Sequence, residues 1–518
     1  MNGAESLLRT LVHNNVEVCF ANPGTSEMHF VAALDRVDGM RCVLGLFEGV
    51  VTGAADGYAR MARRPAATLL HLGPGLANGL SNIHNAKRAR SPMINVIGDH
   101  ATYHRRYDTP LTSDIEGVAR PFSDWVRTTP NSNSVAADAA DAVAAARRLP
   151  GQVASLILPA DAAWTPVTDR PGIVPTAAEP ERPVPDGSAI DAAERILRTG
   201  NRAALLLGAN ATLEEPLELA GRVAAATGCR ILAETMLARA SRGAGRTPVE
   251  PIPYPIEAAV QALHNVEDLI LVGATTPVGF FAYPDKPSVL VNPGTRVYEL
   301  ARPDHDVTAA LELLADACGP AATNRAVMPL DLPARPTGDI TREKIAALIA
   351  AVIPENAVVV DESITSGAAI PAMSATSHPH EWLGTTGGSI GFAMPVGVGA
   401  AIASPGRKVI VLESDGSGMY QPQALWTCAR EELDVLVIVF ANAKYQILQL
   451  EMYNVGVDKI GDKARTLLDI DRPTIDWVAL ARSMGVEAHR AETMDDLSRL
   501  VDAALVDPGP NLIEVPIR

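Results

Sequence analysis

Cysteine is scarce in this chain of 518 residues: five, at positions 19, 42, 229, 318 and 428, with no CxxC pair among them. That scatter argues against a disulfide framework or a zinc-ribbon ligand set and suits isolated buried thiols in a reducing cytoplasm. No apolar run is long enough to span a bilayer. The opening MNGAESLLRTLVHNN lacks the basic start and apolar core of a signal peptide. Positive charge is outnumbered, 44 Lys and Arg against 60 Asp and Glu, giving a formal net charge of −16. Nucleic acid and anionic membrane are therefore poor partners. No short internal repeat is present, and no low-complexity tract beyond two Pro-rich stretches.

Those two stretches, 165–188 and 318–339, read as extended linkers in a chain too long for one core. The segments they separate, 1–165, 186–320 and 338–518, each alternate β-rich runs with Ala-rich helical stretches. The pattern predicts three α/β domains, each a doubly wound parallel sheet.

KVIVLE (408–413) and DVLVIVF (434–440) are short β-branched runs with a helix-length segment between them, a βαβ unit in a parallel sheet. Asp415 and Asn442 each fall two residues past a strand, on the edge where open α/β sheets bind ligands. Two hard oxygen ligands there suit Mg²⁺, which takes only one or two protein side chains and completes its octahedron with water and phosphate oxygens. Gly416 and Gly418 let the backbone approach phosphates, and the next helix points its N-terminus at them. Taken alone, Asp415–Gly416 reads equally as an ordinary turn and Asn442 as a helix cap.

Asp-Gly-Ser followed at this distance by Asn after an apolar strand resembles the cofactor motif of thiamine diphosphate enzymes. The wider chain resembles their acetolactate synthase and benzoylformate decarboxylase branch, through FANPGTSEMHF (20–30), LFEGVVTGAADGYAR (46–60), LLHLGPGLANGLSN (69–82), VVVDESITS (358–366) and GTTGGSIGFAMPVGVGAA (384–401). The resemblance implies a pyrimidine-binding N-terminal domain, a middle domain and a diphosphate-binding C-terminal domain. It implies thiamine diphosphate and Mg²⁺ as cofactors, with Asp415, Asn442 and Lys444 as the metal set and Thr365, Gly416 and Ser417 at the diphosphate; Ser363 and Thr365 either donate hydroxyls to that diphosphate or simply cap the next helix. Glu48 would hydrogen-bond the aminopyrimidine and promote the tautomer that generates the ylid. Set among apolar and small residues, a carboxyl group there suits proton exchange with a weakly basic ring nitrogen. A lone Glu at a helix start would otherwise be read as complementing the helix dipole. The Gly388 carbonyl would accept from the 4′-amino group, and Ile390 would wedge the cofactor into its bent shape.

On the substrate side the same comparison places His71 beside the reacting carbon, to stabilise the substrate carboxylate or move a proton, and Ser26 on that carboxylate. In this loop Thr25 and Glu27 read as turn residues. His100 and His104, four apart, could share a helix face as metal ligands do; with no third ligand type nearby they read as a polar loop at the substrate entrance.

Departures from the family are informative. The usual Gly-Asp-Gly is Ser414-Asp415-Gly416 and the usual Asn-Asn is Ala441-Asn442, which spares both presumed metal ligands. Where the decarboxylase carries a second active-site His, GATTPVGFFAYPDKPS (273–288) has none, and Phe280, Phe281 or Tyr283 fills the space. No motif supports FAD, which analogy alone would allow. LLLGANATLEEP (205–216) opens like a nicotinamide-binding strand and turn but lacks G-x-G-x-x-G. The resulting expectation is a decarboxylase/carboligase of a small 2-oxo acid, acetolactate synthase-like. The alternatives are a benzoylformate decarboxylase-like enzyme for an aromatic or branched acid, and a catalytically silent regulatory homologue. A dimer or tetramer with the active site between chains is implied by the family.

Overall fold

A computed structural model describes residues 1–319 and 325–517. The end of the middle segment at 320 thus lies outside the described residues.

The first sheet contains β1 (Val18–Asn22), β2 (Arg41–Leu44), β3 (Ala66–Leu70), β4 (Met93–Asp99), β5 (Trp125–Thr128) and β6 (Val153–Pro159), in the order β2-β1-β3-β4-β6-β5. Every pairing in it is parallel, and β3, β4 and β6 are buried along their whole length, as expected of strands covered on both faces. The middle segment supplies β7 (Ala203–Leu207), β8 (Arg230–Ala233), β9 (Ala240–Arg242), β10 (Glu250–Pro251), β11 (Asp268–Val272) and β12 (Arg296–Ala301). The last supplies β13 (Val358–Asp361), β14 (His380–Gly384), β15 (Val409–Ser414), β16 (Val435–Ala441), β17 (Glu487–Arg490) and β18 (Asn511–Pro516). The second sheet runs β10-β8-β7-β11-β12 and the third β17-β18-β16-β15-β13-β14-β9.

The three doubly wound sheets expected from the sequence are thus present, with one correction: β9 leaves the middle segment and pairs antiparallel with β14, Arg242 opposite His380. On this basis we propose 1–165, 186–320 and 338–518 as the domain bounds. The first Pro-rich stretch is not a free spacer. Asn14 donates to the Pro175 carbonyl and accepts from the Ala177 N–H, tying the stretch to the first helix, Gly3–His13.

The first and third sheets share one apolar core through two helices, Glu48–Ala62 and Ala393–Ala403. Their backbones approach so closely that a Cβ on Gly399 would fall 1.8 Å from the Ala54 carbonyl oxygen. The cysteines are free, as expected, but Cys19 and Cys42, distant in sequence, sit opposite each other on β1 and β2.

Candidate active site

Each sheet reverses its strand order once, between β1 and β3, between β7 and β11, and between β13 and β15. Crevices at the carboxyl ends of such strands are where open α/β sheets hold ligands. The sequence-predicted residues gather at the first and third of these.

In the first crevice Glu48 opens the helix Glu48–Ala62, and its carboxylate is buried, accepting from Asn78 Nδ2 at 3.0 Å. Beside it, the loop after β1 and the end of β3 build a compact polar group. His71 Nδ1 lies 2.8 Å from Glu27 Oε2 and 3.2 Å from Ser26 Oγ, and Ser26 donates to Glu27 Oε1 at 2.5 Å. The Gly24 N–H also donates to Glu27. The Glu27 side chain is 2 % exposed, and it fits only because residue 98 is glycine: a Cβ there would stand 1.6 Å from Glu27 Oε1. With Nδ1 engaged by a carboxylate, Nε2 is the His71 nitrogen left for proton exchange. Glu27 is therefore no mere turn residue; it orients the histidine, and Ser26 is committed to Glu27.

In the third crevice Asp415 follows β15 directly and Asn442 follows β16 directly, one residue nearer the strands than the sequence suggests. The helix after Asp415 is a single turn, Asp415–Gly418. Asp415 accepts from the N–H groups of Gly416 (3.0 Å) and Ala443 (2.6 Å), and Asn442 Oδ1 from that of Lys444 (3.1 Å). Burial pushes the Asp415 carboxyl up to about 6 against the pull of those N–H groups. Lys444 could contribute only its backbone oxygen to a cation, since its ammonium has no lone pair.

The loop carrying Gly388 and Ile390 is clamped from two sides. Asn85 donates to the Ser389 carbonyl at 2.8 Å and accepts from the Ser389 N–H. Glu362 accepts from the N–H groups of Gly391 (2.7 Å) and Ala393 (2.9 Å). Burial raises Glu362 to about 8, and burial together with the neighbouring Glu362 raises Glu413 well above the ordinary carboxylate range. Gly388 has φ +75°, and a Cβ on it would meet the Phe280 ring at 2.7 Å. The aromatic loop of the middle segment thus reaches the predicted cofactor loop, and Phe280 stacks edge-on against Phe281.

Two hydroxyls expected near a diphosphate are turned elsewhere. Ser363 donates to Asp361 at 2.6 Å, and Ser417 donates to Glu413 at 2.5 Å, which leaves Ser417 only its N–H. Thr365 is half-buried beside them. The His100 and His104 rings lie 5.8 Å apart and tilted at 56° in the loop after β4, and no metal-holding group of three His, Cys, Asp or Glu side chains occurs among the described residues.

No hydrogen bond or ion pair among the described residues joins Glu48 to Asp415. The two crevices do communicate: Asn82 donates to both the Gly49 carbonyl and Gln421 Oε1, each at 2.9 Å.

Two crevices, one led by a buried glutamate and the other by an Asp–Asn pair over a glycine loop, define a cofactor enzyme of two binding halves. The chain belongs to the thiamine pyrophosphate enzymes: residues 1–118 match the N-terminal TPP binding domain of that family and residues 366–515 its C-terminal TPP binding domain. It is 50% identical over 518 residues to a Mycobacterium tuberculosis protein named "Putative acetolactate synthase large subunit IlvX", covering 100% of this chain and 99% of the relative. It is 29% identical to the benzoylformate decarboxylase of Pseudomonas aeruginosa, covering 98% of this chain and 97% of that one. In fold it is similar to the Rhodococcus jostii thiamine diphosphate-dependent 4-hydroxybenzoylformate decarboxylase, with a TM-score of 0.87 at 23% identity, over 100% of this chain and 99% of that one.

Proposed function

We propose that the chain decarboxylates a small 2-oxo acid on thiamine diphosphate and Mg²⁺ and passes the resulting acyl unit to a second carbonyl compound, as an acetolactate synthase-like carboligase. What supports this reading is the placing of Glu48 in the first sheet's crevice and of Asp415, Asn442 and the Gly388 loop in the third's. When bound, thiamine diphosphate supplies a carbon nucleophile for the 2-oxo group and an electron sink for the carbanion left as CO₂ departs.

The residues present fit that group. Asp415 and Asn442 offer two hard oxygens at adjacent strand ends, suited to Mg²⁺. A cation there offsets the burial that disfavours the Asp415 charge. A Cβ at Gly416 would lie 2.5 Å from the Tyr445 ring, so glycine here lets that ring pack against the loop. Gly388 presents its carbonyl from a left-handed backbone that glycine adopts without strain. Glu48 holds the proton that is exchanged with the cofactor's ring nitrogen, while Asn78 fixes its carboxylate. Ile390, half-buried on a loop that Asn85 and Glu362 immobilise, acts as the rigid buttress.

The half-sites complete each other between two copies of the chain, as a dimer or a tetramer. Exposed apolar side chains rim both halves: Leu46 beside Glu48, Met419 and Tyr420 beside Asp415, and Leu448 and Leu450 on the helix Gln446–Asn454 beyond Asn442. Pairing would cover them. No helix of the described residues is long and apolar enough to cross a membrane, and we place the enzyme in the cytoplasm on its sparse, unpaired cysteines. FAD is no part of the proposal, since no motif supports it.

The Glu27–His71 pair favours a second reading, protonation of the acyl carbanion to release an aldehyde, as a benzoylformate decarboxylase-like enzyme of an aromatic or branched 2-oxo acid. His71→Ala separates the two. Under the second reading aldehyde release falls about 10²-fold or more, the ordinary contribution of a positioned general acid, while CO₂ loss in the first turnover persists. Under the first, the yield of ligated product is maintained. Product analysis by NMR distinguishes these outcomes, and Glu27→Gln should shift the pH profile of the His71-dependent step.

A further inference from the structure

A third crevice, the switch point of the middle sheet between β7 and β11, is used by none of the chemistry above. Facing it is a cavity of about 280 Å³ lined by seven arginines and one acidic residue, Glu179. The concentration is unusual in a protein with a formal charge of −16. We propose that this cavity binds a small phosphate-bearing anion.

The site is assembled from three parts. Ala209 and Asn210 contribute the loop after β7. The N-terminal domain contributes the carboxyl ends of three helices, Glu48–Ala62, Leu72–Ala89 and Val135–Arg147, each carrying an arginine into the cavity: Arg63, Arg90 and Arg147. The linker adds Glu179 and Arg182.

Several of the cations already have partners. Arg60 is held by buried Asp56, Arg239 by Glu381 and Arg64 by Glu17. Arg182 pairs with Asp306 at 3.5 Å, and Arg147, which also donates to the Asn14 carbonyl, has Glu179 at 3.9 Å. Arg63 and Arg90 take part in no ion pair among the described residues. Arg63 is exposed at the rim, whereas Arg90 is half-buried and donates to the Gly273 carbonyl at 2.9 Å. Burial lowers the Arg90 pKa, and the nearby Glu234 carboxylate offsets that cost only in part. The helix ends that Arg90 and Arg63 cap offer only about half a charge each. A phosphate oxygen pair matches the planar donor fork of a guanidinium.

Size narrows the ligand. The cavity is at the floor of the roughly 300 to 1,000 Å³ typical of drug-sized ligand pockets. It admits inorganic phosphate or a small phosphorylated metabolite and excludes a dinucleotide. The anion would bridge the N-terminal domain to the middle domain, because Arg90 already spans that boundary through Gly273.

The test uses the holoenzyme saturated with thiamine diphosphate and Mg²⁺, so that the diphosphate loop is filled before any titration. Isothermal calorimetry with inorganic phosphate, and in parallel with a sugar monophosphate, should show one saturable site per chain for at least one of the two probes. The tighter probe identifies free phosphate or a phosphorylated metabolite as the source. Arg63 and Arg90 both have left-handed backbone, φ +54° and +58°, so Arg63→Gly and Arg90→Gly remove charge without backbone strain. Arg63→Gly should weaken binding by about fivefold and the double variant by about 50-fold or more. If loss of the Gly273 contact unfolds Arg90→Gly, Arg63→Glu replaces it, with the same direction expected. No saturable binding of either probe, or affinity unchanged in these variants, would overturn the proposal and leave the arginines as counter-charges to helix ends.

Discussion

Glu48→Gln should retain Mg²⁺ and thiamine diphosphate yet lose about 10²- to 10⁴-fold in turnover, the range expected when a positioned proton-transfer group is removed. The amide keeps the shape of the carboxyl and can still face Asn78, so the helix start and its packing should survive. What it cannot do is hold and return a proton. Cofactor affinity measured by fluorescence quenching should therefore change little while the rate of C2 proton exchange, followed by hydrogen–deuterium exchange of the bound cofactor, collapses with turnover. Undiminished exchange would remove Glu48 from the chemistry and leave it as a helix-start carboxylate.

Asp415→Ala acts on binding instead. Loss of the carboxylate should weaken the Mg²⁺-dependent part of cofactor affinity by roughly 100-fold or more, since even groups that merely support metal ligands are worth 10- to 100-fold. The wild-type site should also be pH-dependent. Burial places the Asp415 carboxyl at about 6 in the folded chain, above the roughly 3.9 of an unfolded aspartate. Without a cation, then, this group's contribution to stability is greatest below the unfolded value and is lost as pH rises through about 6. A cation needs the ionised form, so Mg²⁺ affinity should climb as pH rises to about 6 and level off above it, falling about tenfold per unit well below. Calorimetric titration of Mg²⁺ between pH 5 and 8 checks the slope, and a flat profile in the wild type would place the cation elsewhere.

Glu48, Asp415 and Asn442 were legible because each stands at the end of an apolar run, where one short stretch fixes both the strand and the residue after it. Glu27 was not, since its significance comes from His71, 44 residues away, and from the missing side chain at Gly98. Asn85 and Glu362 escaped for the same reason: Asn85 clamps a loop 304 residues distant, and neither contact leaves a trace in local spacing. The hydroxyls of Ser363 and Ser417 looked like diphosphate donors by position, but buried carboxylates at Asp361 and Glu413 claim them. β9 is three residues long and too short for any periodicity to show, so its transfer to the third sheet appears only in the fold. The three sheets themselves were readable from the alternation of β-branched runs and Ala-rich helices, because parallel strands buried on both faces admit little else.

The most direct test is CO₂ release by the purified protein, saturated with thiamine diphosphate and Mg²⁺ and offered pyruvate, branched 2-oxo acids and benzoylformate in turn, with Glu48→Gln run alongside. The account predicts CO₂ from at least one of these acids, accompanied by a ligated product or an aldehyde, and its loss in Glu48→Gln. Tight cofactor binding with no CO₂ from any of them would contradict it and favour a silent, regulatory member of the family.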